Sequence, residues 1–334
     1  MRRFHALLPL ALACAFASGT ALAAPTLDIE TVNSADATAQ KSDKPDKSGK
    51  SEKSASPAIL RLQVLLDRAR FSPGQIDGFD GGNTRTALAG YKAAHGLGDG
   101  DSLDAETWTA LTGAGGPALV EYTVTEQDVA GPFVDIPNGM MAQAKLDRLA
   151  YTSPTEALAE KFHANPALLK TLNPNVDITK PGTKIVVPNV HNLPALTSVS
   201  KVVVDDSDKT VSVFDSTNKK IAQFPATTGS SHDPLPIGEW KIKGVAKEPV
   251  FHYNPKLFWD ADPSHSKAKI APGPNNPVGL VWIDLSKEHY GLHGTPEPAL
   301  IGKTQSHGCI RLTNWSAQTL AQAVSPGTPA ILQE

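Results

Sequence analysis

After Ser200 the sequence contains strand-like segments in which apolar residues tend to alternate with polar ones, and this period of two constrains the fold more than any other feature. The segment KVVVDDSDKTVSVFD predicts a strand, an acidic turn and a second strand. The pattern continues through KKIAQFPATTG, GEWKIKGVAKEP, GLVWIDLS and YGLHGT, and a short helix is expected around Trp315 to Ala323. The sequence therefore predicts a mainly β domain over residues 198–334.

The N-terminus has the features of an export signal. Arg2 and Arg3 precede an apolar run over residues 6–18, and the small residues around position 23 suit a cleavage site. The run is too short to cross a bilayer, although an uncleaved anchor is the alternative. We expect residues 1–23 to be a signal peptide and the mature chain to be exported without a transmembrane segment.

Three further segments precede the β domain. Residues 24–56 are rich in Lys, Ser and Asp and predict a disordered linker. Residues 57–114 carry leucines at helical spacing and predict a helical domain, in which Asn83 or Thr84 would cap the second helix. Residues 122–190 contain two helical patterns split by a Pro, followed by the strand-like segment PGTKIVVPNV.

Charge and cysteine content exclude several classes of protein. The net charge is -3 and only 19% of residues are charged, which argues against a nucleic-acid partner. The two cysteines are Cys14, inside the predicted signal, and Cys309, so the mature chain has no internal disulfide. The thiol of Cys309 is then either a buried apolar group or a reactive one. The histidines lack metal-site spacing, and no metal or cofactor is expected.

The segment YGLHGTPEPALIGKTQSHGCIRL concentrates the polar chemistry of the β domain. Glycine beside a cysteine lets the backbone turn sharply and leaves N–H groups free for a developing oxyanion. A thiol with an ordinary pKa near 8.5 is mostly protonated at neutral pH, so a nucleophilic Cys309 needs a basic or cationic partner. From the residues alone, either His293 or His307 could be that partner.

HGT followed by SHGCIR resembles the catalytic signature of the L,D-transpeptidases, whose catalytic domain is called YkuD-type. LPIGEWKI and NPVGLVWIDL agree with the same family. The resemblance implies that Cys309 is the nucleophile and His293 the base that takes its proton. It also implies that the backbone carbonyl of Gly294 accepts from the His293 ring and orients it.

The resemblance assigns the remaining site residues as well. The N–H groups of Gly308 and Cys309, together with His307, would form the oxyanion hole. Arg311 would anchor a substrate carboxylate, with an internal salt bridge or a brace for the loop as the alternatives. Ser306 would be a hydroxyl that shapes the loop.

The implied substrate is the stem peptide of peptidoglycan. Cys309 would attack the carbonyl between meso-diaminopimelate at position three and D-Ala at position four, release D-Ala and leave a thioester. An amine of a second stem peptide would then give a 3→3 cross-link. Water as acceptor would make the protein a carboxypeptidase or endopeptidase, and a protein lysine would make it a wall-protein ligase. A non-catalytic peptidoglycan-binding protein is the further alternative.

Both N-terminal domains also resemble wall-binding modules. The segment from LQVLLDRARF to DAETWTAL resembles a three-helix peptidoglycan-binding domain, and TSPTEALAEKFHANPALLKTLNP with PGTKIVVPNV resembles a LysM module. Either could instead be a spacer. The expected architecture is thus multidomain α+β, with a sandwich-like catalytic domain, located in the periplasm at the cell wall. Its partners would be stem peptides and glycan strands, and the sequence predicts no oligomeric state.

Overall fold

The computed structural model describes residues 27–38, 55–113, 115–190 and 193–334. The predicted signal peptide, residues 1–23, lies outside these ranges. Helices and one small sheet make up the described residues before 190, and a mainly β domain follows. Within the described ranges, no helix combines the length and the apolar character that crossing a bilayer would need.

Helix α1 (Ile29–Ser34) lies inside the segment predicted to be a disordered linker. Val32 is fully buried, and the Asn33 side chain forms two hydrogen bonds with the backbone of Leu119: Nδ2 donates to the carbonyl (3.0 Å) and Oδ1 accepts from the N–H (2.8 Å). The prediction of disorder is therefore wrong for residues 27–38. The partners that order them are distant in sequence, so local composition does not reveal them. Residues 39–54 of the segment lie outside the described ranges.

The helical unit comprises α2 (Pro57–Arg68), α3 (Gly82–His95) and α4 (Ala105–Gly113). Its core holds Leu62, Leu66, Phe71, Leu88 and Trp108. The predicted side-chain cap of α3 is wrong, because the N-cap is Gly81 and no side chain caps the helix. Asn83 instead donates to the carbonyl of Ile301 in the β domain (3.0 Å), and the Thr84 hydroxyl accepts from Gln63 (3.1 Å).

The next unit contains β1 (Leu119–Thr123), α5 (Met140–Gln143), α6 (Pro154–Lys161), α7 (Pro166–Leu172) and β2 (Lys184–Pro188). Strands β1 and β2 pair antiparallel. Both α6 and α7 begin with proline after a capping residue, since the side chains of Ser153 and Asn165 accept from backbone N–H groups. The unit starts before the predicted boundary at residue 122, because β1 already pairs from Leu119.

The β domain is built on eight hydrogen-bonded strands in the order β11-β10-β9-β6-β12-β3-β4-β5. A separate pair, β7–β8, projects from it. In chain order the elements are β3 (Val199–Asp205), β4 (Thr210–Asp215), β5 (Lys220–Pro225), β6 (Gly238–Lys247), β7 (Phe251–Tyr253), β8 (Ala268–Ile270), β9 (Val281–Leu285), β10 (Gly291–His293), β11 (Ile310–Arg311), α8 (Asn314–Ala323) and β12 (Pro329–Gln333).

The predicted sandwich-like layering is realised as one curled sheet. The first residues of β6 pair with β12, and the residues after a bulge near Gly244 pair with β9, so that β6 belongs to both halves. The two ends of the sheet meet where Thr227 and Arg311 exchange backbone hydrogen bonds of 2.9 Å. The enclosed core is lined by alternate residues of each strand, including Val202, Val204, Val211, Val213, Ile283, Leu292 and Ile310.

The N-terminal units pack directly on the β domain. The backbone of Gln223 in β5 donates to the carbonyl of Arg70 and accepts from the N–H of Ser72, both at 2.9 Å. The ring of His163 stacks on Trp315 in α8, with centroids 4.9 Å apart and planes 9° apart, and its Nδ1 lies 2.8 Å from Asp67. The helical unit therefore contacts β5 of the β domain, and the unit that follows it contacts helix α8.

Candidate active site

The principal candidate residues lie on or beside the paired strands β10 and β11. The strands are parallel, with Leu292 opposite Ile310 and His293 opposite Arg311. Leu292 and Ile310 are fully buried in the core. Because side chains alternate along a strand, His293 and Arg311 face away from that core. Cys309 directly precedes β11, and the same parallel register, extended by one residue, places it opposite Gly291, two residues before His293.

The thiol of Cys309 is in a setting that keeps it protonated. Its Sγ lies 3.6 Å from the carbonyl oxygen of His289, to which it donates. Burial raises the pKa of Cys309 to about 11, against the opposing effects of the Gly291 N–H and the positive charge of Arg311. Cys309 is therefore a protonated thiol at neutral pH, and a nucleophilic role would require a partner that removes its proton during attack.

His293 has the geometry of a neutral base. Its ring is 4% exposed and lies parallel to Trp282, with centroids 5.5 Å apart. Nδ1 donates to the carbonyl of Gly294 at 2.7 Å. A carbonyl can only accept, so Nδ1 carries the proton and Nε2 keeps its lone pair. Burial, together with the charge of Arg311, lowers the pKa of His293 to about 3.

Two glycines of the predicted signature are required by close contacts. Gly308 has φ +93°, and a Cβ there would lie 2.7 Å from the ring of Tyr290. A Cβ on Gly294 would lie 2.0 Å from Oδ1 of Asn314. The first glycine turns the chain just before the thiol, and the second brings the carbonyl to the histidine ring.

The structure separates the two histidines that the sequence left as alternatives. Nε2 of His307 lies 2.8 Å from a carboxylate oxygen of Asp260, and its ring packs edge-on against Phe258. His307 thus links the catalytic segment to the long loop between β7 and β8. His293 is the histidine on the strand beside Cys309.

Ser306 and Arg311 occupy different surroundings. The hydroxyl of Ser306 donates to the carbonyl of Cys309 at 2.6 Å, and its N–H donates to Gly229 at 3.0 Å, which shapes the turn. The guanidinium of Arg311 donates to the carbonyl of Gln305 at 3.4 Å. No carboxylate among the described residues forms an ion pair with it. Arg311 interacts electrostatically with Cys309, Glu297 and Asp260. Its hydrogen bond to Gln305 is the kind of contact that a brace for the loop would make.

Several residues of this region carried no signal in the sequence. Asp260 lies far before the motif and Asn314 just after it, and both make their contacts only through packing. Trp259 is 60% exposed at the rim, where its ring stacks on His232 with centroids 4.4 Å apart. Within the described ranges, no group of three or more His, Cys, Asp or Glu side chains is arranged to hold a metal ion.

Comparison with known proteins matches the β domain. Residues 200–332 match the family model described as the YkuD L,D-transpeptidase catalytic domain. The protein named YkuD from Bacillus subtilis strain 168 is 30% identical over 170 residues, which cover 51% of this chain and 82% of that protein. YkuD from Bacillus licheniformis is 27% identical over 175 residues, which cover 52% of this chain and 89% of that protein.

Solved structures also match part of the chain. A structure titled as an L,D-transpeptidase from Mycobacterium smegmatis has 24% sequence identity and a TM-score of 0.33. The match covers 46% of this chain and 64% of the mycobacterial chain. The residues before position 200 lie outside the family-model match.

Proposed function

This chain belongs to the YkuD family of L,D-transpeptidases, and we propose that it forms 3→3 cross-links between peptidoglycan stem peptides through a thioester on Cys309. The observation that supports the proposal is the parallel pairing of β10, which ends at His293, with β11, which begins directly after Cys309. A nucleophile and a base on adjacent rigid strands are held close to the geometry that acyl transfer needs.

In the first half of the proposed reaction, Cys309 Sγ attacks the carbonyl between meso-diaminopimelate and D-Ala. The lone pair on His293 Nε2 takes the thiol proton as the S–C bond forms, and the Gly294 carbonyl stabilises the ring while it is charged. His293 then gives that proton to the departing amine of D-Ala. The N–H groups of Gly308 and Cys309 stabilise the tetrahedral oxyanion.

In the second half, an amine of a neighbouring stem peptide attacks the thioester. His293 accepts the proton of that amine, and the Cys309 thiolate leaves and is protonated. Arg311 serves both halves, because its charge favours the departing thiolate, and its guanidinium has N–H groups besides the one that donates to Gln305 with which to bind a stem-peptide carboxylate. The low pKa of His293 keeps its base form available in the resting enzyme.

We further propose that the N-terminal units hold the enzyme at the wall. The three helices α2, α3 and α4 would act as a peptidoglycan-binding domain, and the unit of β1, α6, α7 and β2 as a LysM-like glycan-binding module. Export by the predicted signal peptide would place the protein in the periplasm. Both units pack directly on the β domain. This packing supports the proposal that wall binding and stem-peptide cleavage take place on one rigid assembly of the three units.

The proposal is tested with purified protein and a disaccharide-tetrapeptide, with products followed by mass spectrometry. We expect a cross-linked dimer that lacks one D-Ala, and we expect Cys309→Ala to abolish it. His252→Gln, a change in β7, is the matched control and should leave the yield unchanged.

The alternative fates of the thioester give different products in the same assay. Detection of shortened monomer without dimer would indicate that the enzyme hydrolyses the thioester and does not transfer it to an amine. A product that forms only when a lysine-containing protein is added would indicate a wall-protein ligase. Absence of any product, together with absence of a carbapenem adduct on Cys309, would leave only a wall-binding role.

A further inference from the structure

Helix α3 of the helical unit reaches the loop that joins the two principal residues of the candidate site. Residues 294–308, here called the connecting segment, run from His293 at the end of β10 to Cys309. Asn83, in the first turn of α3, donates through Nδ2 to the carbonyl of Ile301 in the middle of this segment, at 3.0 Å. Ile301 is buried, so the bond lies at a packed contact between the helical unit and the β domain.

The peptide between Ile301 and Gly302 is held at both of its polar groups. Asn83 binds its carbonyl, and its N–H, which belongs to Gly302, donates to the hydroxyl of Thr227 at 3.0 Å. Gly302 has φ +74°, and a Cβ there would lie 2.6 Å from Oδ1 of Asn83. Glycine therefore allows the helix and the connecting segment to approach each other closely at this peptide.

Thr227 extends this set of bonds to the strand that follows the candidate nucleophile. Its backbone N–H donates to the carbonyl of Arg311, and its carbonyl accepts from the N–H of Arg311, both at 2.9 Å. Thr227 is buried, and Arg311 follows Cys309 by two residues. Hydrogen bonds thus run without a gap from Asn83 through the peptide of the connecting segment and Thr227 to β11.

Helix α3 is itself fixed on the β domain, so Asn83 has a defined position. Nε2 of Gln223 in β5 donates to the carbonyl of Thr86, three residues after Asn83 in the helix, at 3.0 Å. Oε1 of Gln223 accepts from Lys220 at 2.7 Å. The Gln223 side chain lies against Gly90, where a Cβ would collide with it. A side chain on a helix that is held in this way can position a loop precisely.

We propose that Asn83 is a positioning residue for the nucleophile and the base, acting through the connecting segment and Thr227. The inference rests on the proposed function, in which Cys309 attacks the substrate and His293 takes the thiol proton. Asn83 lies outside the residues that match the family model. The helical unit would then support the catalytic geometry in addition to its proposed role at the wall. A small displacement of a nucleophile from its base is costly, because acyl transfer needs aligned reacting atoms.

The test compares Asn83→Asp with the wild type in the full-length chain. Aspartate has nearly the shape of asparagine, but its carboxylate cannot donate and repels the carbonyl of Ile301. The helix dipole favours a carboxylate in the first turn, so α3 itself should not be weakened. We expect kcat to fall about tenfold and KM to stay within about twofold. The matched control, Asn218→Asp, makes the same change in the exposed turn between β4 and β5 and should equal the wild type.

Backbone hydrogen exchange, followed by mass spectrometry, is a readout that does not depend on turnover. We expect the connecting segment to exchange about fivefold faster in Asn83→Asp, while β3 and β4 exchange at the wild-type rate. Faster exchange throughout the chain would show that Asn83 only stabilises the fold and would overturn the inference, as would an unchanged kcat.

Two further outcomes have defined consequences. If Asn83→Asp fails to fold, the same measurements on Asn83→Ala, which removes the donor without adding a charge, decide the role of Asn83. If the wild type shows no acyl transfer, the proposed function fails. The exchange of the connecting segment then still decides whether Asn83 holds it in place.

Discussion

Arg311 and His293 are register partners in the parallel pair of β11 and β10, so a permanent positive charge lies beside the ring of the proposed base. The charge lowers the pKa of His293 and also favours ionisation of Cys309. One guanidinium thus keeps the base deprotonated and prepares the site for the anion that forms during attack. Replacing Arg311 with a neutral residue should therefore raise the pKa of both His293 and Cys309.

The rate at which iodoacetamide alkylates Cys309 should increase with pH and show no plateau between pH 7 and pH 10, because burial raises the pKa of the thiol to about 11. Arg311→Gln removes a charge that favours the thiolate, and we expect a rate about tenfold lower at pH 9, the effect of one pKa unit. Arg311→Lys should retain most of the rate. A plateau below pH 8 in the wild type would instead show a preformed thiolate–imidazolium pair.

His293→Gln and His307→Gln should lower kcat by different amounts in the assay with the disaccharide-tetrapeptide. Loss of the base should lower kcat by about 10²- to 10⁴-fold, the range for general acid–base catalysis. His307 contacts Asp260, so His307→Gln should act by loosening the loop and cost about tenfold at most. Asp260→Asn should have the same effect as His307→Gln. The assignment of the base fails if the larger loss belongs to His307→Gln.

Gly294→Ala should destabilise the β domain because the new Cβ would lie 2.0 Å from Asn314 Oδ1, which is held by the Leu280 N–H. Overpacking of this kind costs about 1–3 kcal/mol of unfolding free energy, measurable by urea denaturation. Gly244→Ala is the matched control, since a Cβ at that position would have no atom within 4 Å beyond its chain neighbours. Equal unfolding midpoints for the two variants would contradict the close contact.

The stability of the chain should depend on pH through Glu160. The folded-state pKa, about 8, exceeds the ordinary value of 4.5, so the folded state holds the proton more tightly. This contribution is complete below pH 4.5 and is lost as pH rises to 8. Glu160→Gln lacks the ionisable group, so its Tm relative to wild type should rise between pH 5 and pH 8. A constant Tm difference over that range would show that the carboxyl group is not buried in its neutral form.

Sequence patterns predicted the parts of the fold that depend on the order of neighbouring residues, namely strands and turns. Alternation of apolar residues located β3, β4 and β9, because one face of each strand is buried. Gly308 marked the turn just before the thiol of Cys309. These signals arise from neighbouring residues and are visible without tertiary structure.

The features that the sequence did not predict depend on contacts between residues that are far apart in the chain. Helix α1 is ordered by Val32 and by the bonds from Asn33 to Leu119, 86 positions away. The residues alone left His293 and His307 as alternatives, and the strand register of His293 and the contact of His307 with Asp260 are visible only in the fold. Helix α6 contacts helix α8, although the two are far apart in the sequence. None of these partners could be read from the composition or spacing of the segments that contain them.

The pairing of Arg70 and Ser72 with Gln223 also bears on solubility. Strand β5 is the last in the sheet, and without that pairing its free N–H and C=O groups would be a template for association with other chains. We therefore expect the N-terminal units to limit self-association of the β domain through this edge. A shortened chain that begins after residue 195 would lose this cover and should precipitate more readily than the intact protein.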